Sequence, residues 1–171
     1  MAVSGGASVT KNEFYQCVME AYRPTETLIK MVPADKLGWR PKPNFMSLGQ
    51  VICHMGEGME AELRCTFTGQ WPFTMEQMME MMKLEKIPSC GVEEALKKLA
   101  KDKTALREFL DGISEGDFSS KVVSTPWGMG GKMERMAIAF LEHLSHHKMQ
   151  LFTYLKLLGF PVNTGTLYFG S

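Results

Sequence analysis

The sequence lacks several things that would point elsewhere. No apolar run approaches the roughly 20 residues that a membrane-spanning helix needs. Neither sign of charge is in excess: 19 Lys and Arg balance 19 Asp and Glu. That neutrality leaves no electrostatic footprint for nucleic acid or an anionic membrane surface. Tyrosine and proline are sparse, at four and eight in 171 residues. The four cysteines, Cys17, Cys53, Cys65 and Cys90, contain no CxxC pair, so they give neither a disulfide framework nor a thiolate zinc site. They read as reduced and mostly buried small hydrophobes. Met1–Thr10 has no basic stretch followed by an apolar one and so does not resemble a signal peptide. These absences leave a single soluble domain over residues 1–171, expected in the cytoplasm, with residues 1–9 frayed.

What is abundant is methionine, with 15 residues. Methionine favours helices and adaptable apolar surfaces over strands. Five of the fifteen, Met75, Met78, Met79, Met81 and Met82, fall in one short segment. Soft thioethers could select copper(I), but an apolar cap over a bundle end or at a dimer contact is the plainer expectation.

Helix signals recur along the chain. Thr10 and Glu13 have capping-box spacing, and Phe14, Val18, Ala21, Leu28 and Ile29 follow at helical intervals as far as Pro33. Pro24 inside this pattern is expected to kink the helix or split it. Gly38, Pro41 and Pro43 make the next stretch a loop anchored by Trp39. Ser47 and Gln50 open a second helix expected to run to Thr68 and stop at Gly69. Thr74 and Gln77 cap the Met-rich segment. From Val92 to Ile113 the pattern is strongly amphipathic, with Lys97, Lys98, Lys101, Asp102, Lys103, Arg107 and Glu108 expected on the solvated face. Lys121–Ser124 suits a short extended piece, followed by a Gly/Pro-rich loop. The last helix is expected from Lys132 to Leu158, ended by Gly159 and Pro161. Four long helical patterns without alternating strands give an all-α four-helix bundle, with a long connection between the second and third helices.

The four histidines carry the chemistry. His143 and His147 are four apart, so they stack one turn above the other beside the apolar Phe140, Leu144 and Leu151. Such a pair can offer two imidazole nitrogens to one metal ion. His54 lies in the second helix among Val51, Gly58, Ala61 and Cys65, small neighbours that leave space beside the ring. An inward histidine is by itself often only a hydrogen-bonded core residue. If the second and fourth helices face each other, however, three imidazoles converge, leaving an open position for water or substrate. His146 is about 100° away around the helix and is expected outside this set. Glu57, three residues after His54, either orients a ligand imidazole or is a surface carboxylate. Trp39, Trp71, Phe73, Trp127 and Met129 lie in loops that either line a pocket mouth or plug the core. Gly128–Gly131 lacks the GxGxxG and G-K-[ST] patterns, so it does not signal phosphate binding.

The run Ser47–His54 resembles the second-helix segment of the DinB/YfiT-like superfamily. Glu142–Leu151 is similar to its fourth-helix motif, H-x-x-x-H followed by R-G-Q, with Lys148–Met149 standing where Arg–Gly is usual. Leu37–Gly38–Trp39 and Leu157–Leu158–Gly159 add to the likeness. The resemblance implies a four-helix bundle, commonly a homodimer, holding a divalent zinc or nickel ion through His54, His143 and His147. It further implies a metal-dependent enzyme, foremost an S-transferase using a low-molecular-weight thiol as co-substrate. A metal-dependent hydrolase and a non-catalytic metal-binding module are the alternatives. It implies no DNA chemistry.

Overall fold

The computed structural model describes residues 8–171. The fraying expected for the N-terminal segment therefore falls, through residue 7, outside the described residues. At its edge the Ser8 hydroxyl donates to Glu134 at 2.5 Å.

Eight helices and one small hairpin follow one another: α1 (Lys11–Lys30), α2 (Leu48–Gly56), α3 (Glu60–Thr68), α4 (Met75–Met81), α5 (Val92–Asp111), α6 (Glu115–Ser120), β1 (Val122–Ser124), β2 (Gly130–Lys132), α7 (Met133–Leu157) and α8 (Thr164–Phe169). A single 3₁₀ turn, Ala34–Lys36, lies in the loop after α1. The capping boxes at Thr10, Ser47 and Thr74 all form, each side chain accepting from the amide three residues on. They satisfy amide groups that the helix itself leaves unpaired.

The bundle is made of α1, the α2–α3 pair, α5 and α7. Both α1 and the α2–α3 pair pack against α5 and α7. They therefore occupy opposite corners, and α2 faces α7 as convergence of the histidines requires. Phe14, Tyr22, Leu48, Ile52, Leu99 and Leu106 are fully buried between the helices. The long connection between the second and third bundle helices is present and carries α4. The described residues are all-α apart from the β1–β2 hairpin, whose strands pair antiparallel with Val123 opposite Gly131. The extended piece expected near Lys121–Ser124 is β1, and the Gly-rich stretch after it supplies β2. Both α6 and α8, six residues each, are too short to show an apolar period in the sequence.

Four expectations change. First, Pro24 does not split the first helix: α1 is continuous through it. Beyond Pro24, Thr25, Leu28 and Ile29 are fully buried, and the Thr25 hydroxyl donates to the Ala21 carbonyl at 2.8 Å. Tertiary packing outweighs the local breaker.

Second, the single helix expected from Ser47 to Thr68 is broken between Gly56 and Glu60. Third, Asp102 is not on the solvated face of α5 but is 6 % exposed. These two findings have one cause. The Asp102 carboxylate accepts from the amides of Met59 (3.0 Å) and Glu60 (2.8 Å), which start α3, and from the Tyr22 hydroxyl at 2.5 Å. It thus performs the capping that the local sequence of α3 does not provide. Gly58 makes this possible with φ of +74°; a Cβ there would lie 2.1 Å from Asp102 Cγ.

Fourth, the Met-rich α4 does not close the bundle end. No residue of α4 is buried, and Met75, Met79, Met81 and the flanking Met82 are exposed. The cysteines are also less uniform than expected: Cys53 and Cys90 are buried, Cys65 is half-buried and Cys17 is exposed.

Candidate metal centre

The site lies where α2 meets α7. His54 is in the last turn of α2, and His143 and His147 are on successive turns of α7. The three rings stand edge to face. Their centroids are 5.3 Å apart for His54 and His143, and 4.6 Å for His147 to each of the others. One ring nitrogen from each lies within 4.8 Å of the others. His54 Nε2 and His143 Nε2 approach to 3.0 Å. Nitrogen ligands on a tetrahedral ion with Zn–N bonds of about 2.0–2.1 Å are about 3.3 Å apart, so the His54–His143 approach is close to that of two ligands on one ion, and the three-ring spacing is compatible with a shared cation.

Burial keeps His143 and His147 neutral. Desolvation pushes His143 down to about 4, reinforced by the charges that His147, His54 and His146 would carry. Desolvation also lowers His147, partly offset by its hydrogen bond to Gln150. As a whole residue His143 is exposed, so one side of the site opens to solvent while the ring faces its partners. Neutral imidazoles at physiological pH are the form that binds metal.

The far nitrogens are also engaged. His147 Nδ1 is 2.9 Å from Gln150 Oε1, and Gln150 Nε2 donates to the Tyr154 hydroxyl at 3.0 Å. With Nδ1–H donating to Gln150, the Nε2 lone pair of His147 is directed into the cluster. Tyr154 is packed edge-on by Trp39, centroids 5.5 Å apart, and by Phe45 at 6.5 Å. The loop after α1 thereby braces a chain of contacts leading to His147. On the other side His54 Nδ1 has a longer 3.4 Å contact with Glu57 Oε2. Glu57 caps the C-terminal end of α2 and is exposed.

The structure therefore brings His54, His143, His147 and Glu57 together. His146 is exposed and outside the cluster, as expected. The three tryptophans do not form one group. Trp39 belongs to the Tyr154 contacts, whereas Trp71 packs on Trp127 and Phe73 at 4.9 and 5.6 Å. Ala61 and Cys65 are on α3, beyond the helix break, so they do not extend the face of α2 that carries His54.

Sequence reasoning missed three contributors. Gln150 and Tyr154 are three and seven residues after His147, a helical spacing that was available as a signal. Glu62 gave no such signal, because the break at Gly58 resets the helix phase before it. Its carboxyl is pushed upward by desolvation, an effect opposed by nearby His54 and reinforced by Glu57 and Asp102.

Comparison with known proteins fits this geometry. The model of the DinB superfamily matches residues 19–151, spanning all three histidines. The chain belongs to the DinB superfamily. Two crystal structures share its fold. One is a protein from Exiguobacterium sibiricum 255-15 assigned to the DinB family, with 24 % identity and a TM-score of 0.69, covering 94 % of this chain and 99 % of the other. The second is a DinB-like protein from Bacillus cereus ATCC 10987, with 17 % identity and a TM-score of 0.69, covering 92 % and 98 %. No curated protein matches the chain significantly. This DinB-superfamily chain thus carries a three-histidine cluster compatible with a divalent metal ion. Among the described residues, no helix is long and apolar enough to cross a membrane.

Proposed function

We propose that this protein is a divalent-metal-dependent enzyme that joins a low-molecular-weight thiol, through its sulfur and with loss of the thiol proton, to a small electrophilic substrate. The observation that carries the reading is the convergence of exactly three imidazoles, with no Cys, Asp or Glu completing the group among the described residues. A sealed structural site would use four protein ligands; three leave room for a reactant.

His54, His143 and His147 would hold the ion; an all-imidazole donor set suits zinc, nickel, iron or copper, of which the family resemblance favours zinc or nickel. When bound, such an ion lowers the pKa of a thiol or water in its open position and supplies a nucleophile at neutral pH. The residues around it serve the imidazoles. Gln150 fixes the tautomer of His147 by accepting its Nδ1 proton, and Tyr154 in turn orients Gln150. Glu57 Oε2, near His54 Nδ1, does the same for His54 more loosely. The exposed side of His143 gives reactants an approach. A co-substrate thiol suits this site because none of the four cysteines belongs to the histidine cluster.

Hydrolysis is a second reading: the same three-histidine site would lower the pKa of a water in the open position in place of a thiol. Incubating the purified protein with a panel of thiols and a model electrophile, with and without added zinc or nickel, tests the proposal. Metal-dependent thiol consumption is expected, and its loss in His54→Ala. Equal rates in metal-depleted and metal-loaded protein would overturn it. Metal-dependent ester or amide cleavage without thiol consumption would establish the hydrolase reading.

A further inference from the structure

A second cluster of reactive side chains lies on the opposite flank of α2, where it meets the start of α5. Gly49 and Cys53 are one turn apart on the same face of α2. A Cβ on Gly49 would fall 2.3 Å from Ser89 Oγ and 3.3 Å from the Cys90 carbonyl oxygen, so glycine lets the segment entering α5 come this close. The Cys90 amide donates to the Gly49 carbonyl at 3.2 Å, which holds Cys90 one helical turn from Cys53. Burial pushes the Cys90 thiol up to about 12, reinforced by the neighbouring Cys53. From α5, Lys98 Nζ donates to Cys53 Sγ at 3.2 Å and lies 3.4 Å from Glu94 Oε1. This contact fixes the position of the Cys53 sulfur beside Cys90. Both cysteines are buried, but Ser89 is exposed and Gly91 half-buried, so Cys90 sits just beneath the surface.

We propose that Cys53 and Cys90 form a reversible dithiol–disulfide couple, oxidised by hydrogen peroxide. One thiol attacks a peroxide oxygen and the O–O bond breaks, giving a sulfenic acid and one water. The second thiol attacks the sulfenic sulfur; the S–S bond forms, the S–O bond breaks, and the oxygen leaves as a second water with the remaining thiol proton. The pair loses two electrons and two hydrogens, and the peroxide is reduced to two waters. The product ties the loop before α5 covalently to α2. Disulfide formation needs two sulfurs that can close to about 2.05 Å, and side chains that start from backbone joined by the Cys90–Gly49 hydrogen bond can meet that requirement without rearranging the bundle.

The intact wild-type chain suffices for the test. It is treated with hydrogen peroxide until exposed Cys17 has reacted. Remaining thiols are then alkylated in denaturant, and the protein is digested without reduction for mass spectrometry. The expected result is one cross-linked peptide joining Cys53 to Cys90, short by two hydrogens and released by dithiothreitol. The oxidised protein should also melt at a higher temperature than the reduced form. Alkylation of Cys53 and Cys90 as free thiols would overturn the proposal. So would oxygen adducts on either without a cross-link, or pairing of either with Cys17 or Cys65.

Discussion

Replacing Asp102 with alanine should damage this fold more than any other single change outside the apolar core. Three donors converge on its carboxylate: the amides of Met59 and Glu60 and the Tyr22 hydroxyl. Tyr22 is fully buried and Met59 is 2 % exposed, so water cannot replace the lost acceptor at either. Leaving a buried donor unpaired costs about 1–3 kcal/mol. Two such donors, less the relief from removing a buried carboxylate, put Asp102→Ala at roughly 3 kcal/mol of lost stability. That is a large part of the 5–15 kcal/mol or so typical of a domain. Asp102→Asn should behave differently. Its carbonyl oxygen can still accept from both amides, and its NH₂ can donate to the Tyr22 oxygen. Burial raises the Asp102 pKa above 3.8 despite its hydrogen bonds. A raised carboxyl contributes stability below its unfolded pKa and loses it as pH rises through the folded value. The asparagine variant, which does not titrate, should therefore gain on wild type as pH rises from about 4 towards neutrality. Urea unfolding followed by far-UV circular dichroism at several pH values measures all of this. Alanine and asparagine variants of equal stability would refute the reasoning.

Other consequences are more local. Gly58→Ala should cost at least about 2 kcal/mol in urea unfolding, because it combines a positive φ with a clash against Asp102. Gln150→Leu should weaken metal affinity about 10–100-fold in a competition titration, since it frees the His147 tautomer, while the helical signal stays unchanged. His146→Ala should leave metal content and thermal midpoint near wild type. In metal-free protein, stability should fall as pH drops from 6.5 towards 4, because His143 resists protonation in the fold and accepts it when unfolded. His143→Gln should flatten that slope in pH-dependent unfolding. Met79→Ser should change stability by less than about 0.5 kcal/mol, since its side chain is exposed on α4.

The bundle was legible because each long helix announces itself twice, by an apolar stripe and by a cap or stop. Thr10, Ser47, Thr74 and Gly159 are all where such signals belong. The histidine set was legible for a related reason: a four-residue spacing survives folding as one face, and the helix facing it carries the third ring. What could not be read depends on partners distant in sequence. The break at Gly58 is dictated by Asp102 on α5, which looks like another member of a charged run. Once α2 ends there, the phase carried over from His54 no longer places Ala61, Glu62 or Cys65. The exposure of α4 was equally hidden, because methionines at helical spacing look the same whether a protein surface covers them or solvent does. The Trp71–Trp127 contact joins loops whose path no local pattern fixes.

The central claim is that His54, His143 and His147 bind one divalent ion. Its most direct test is elemental analysis of wild-type protein and of His54→Ala, His143→Ala and His147→Ala, each loaded with zinc or nickel and freed of excess. One ion per wild-type chain is expected, with loss in all three variants while their far-UV spectra remain helical. A wild-type chain that retains no ion, or folded variants that retain as much as wild type, would contradict the account.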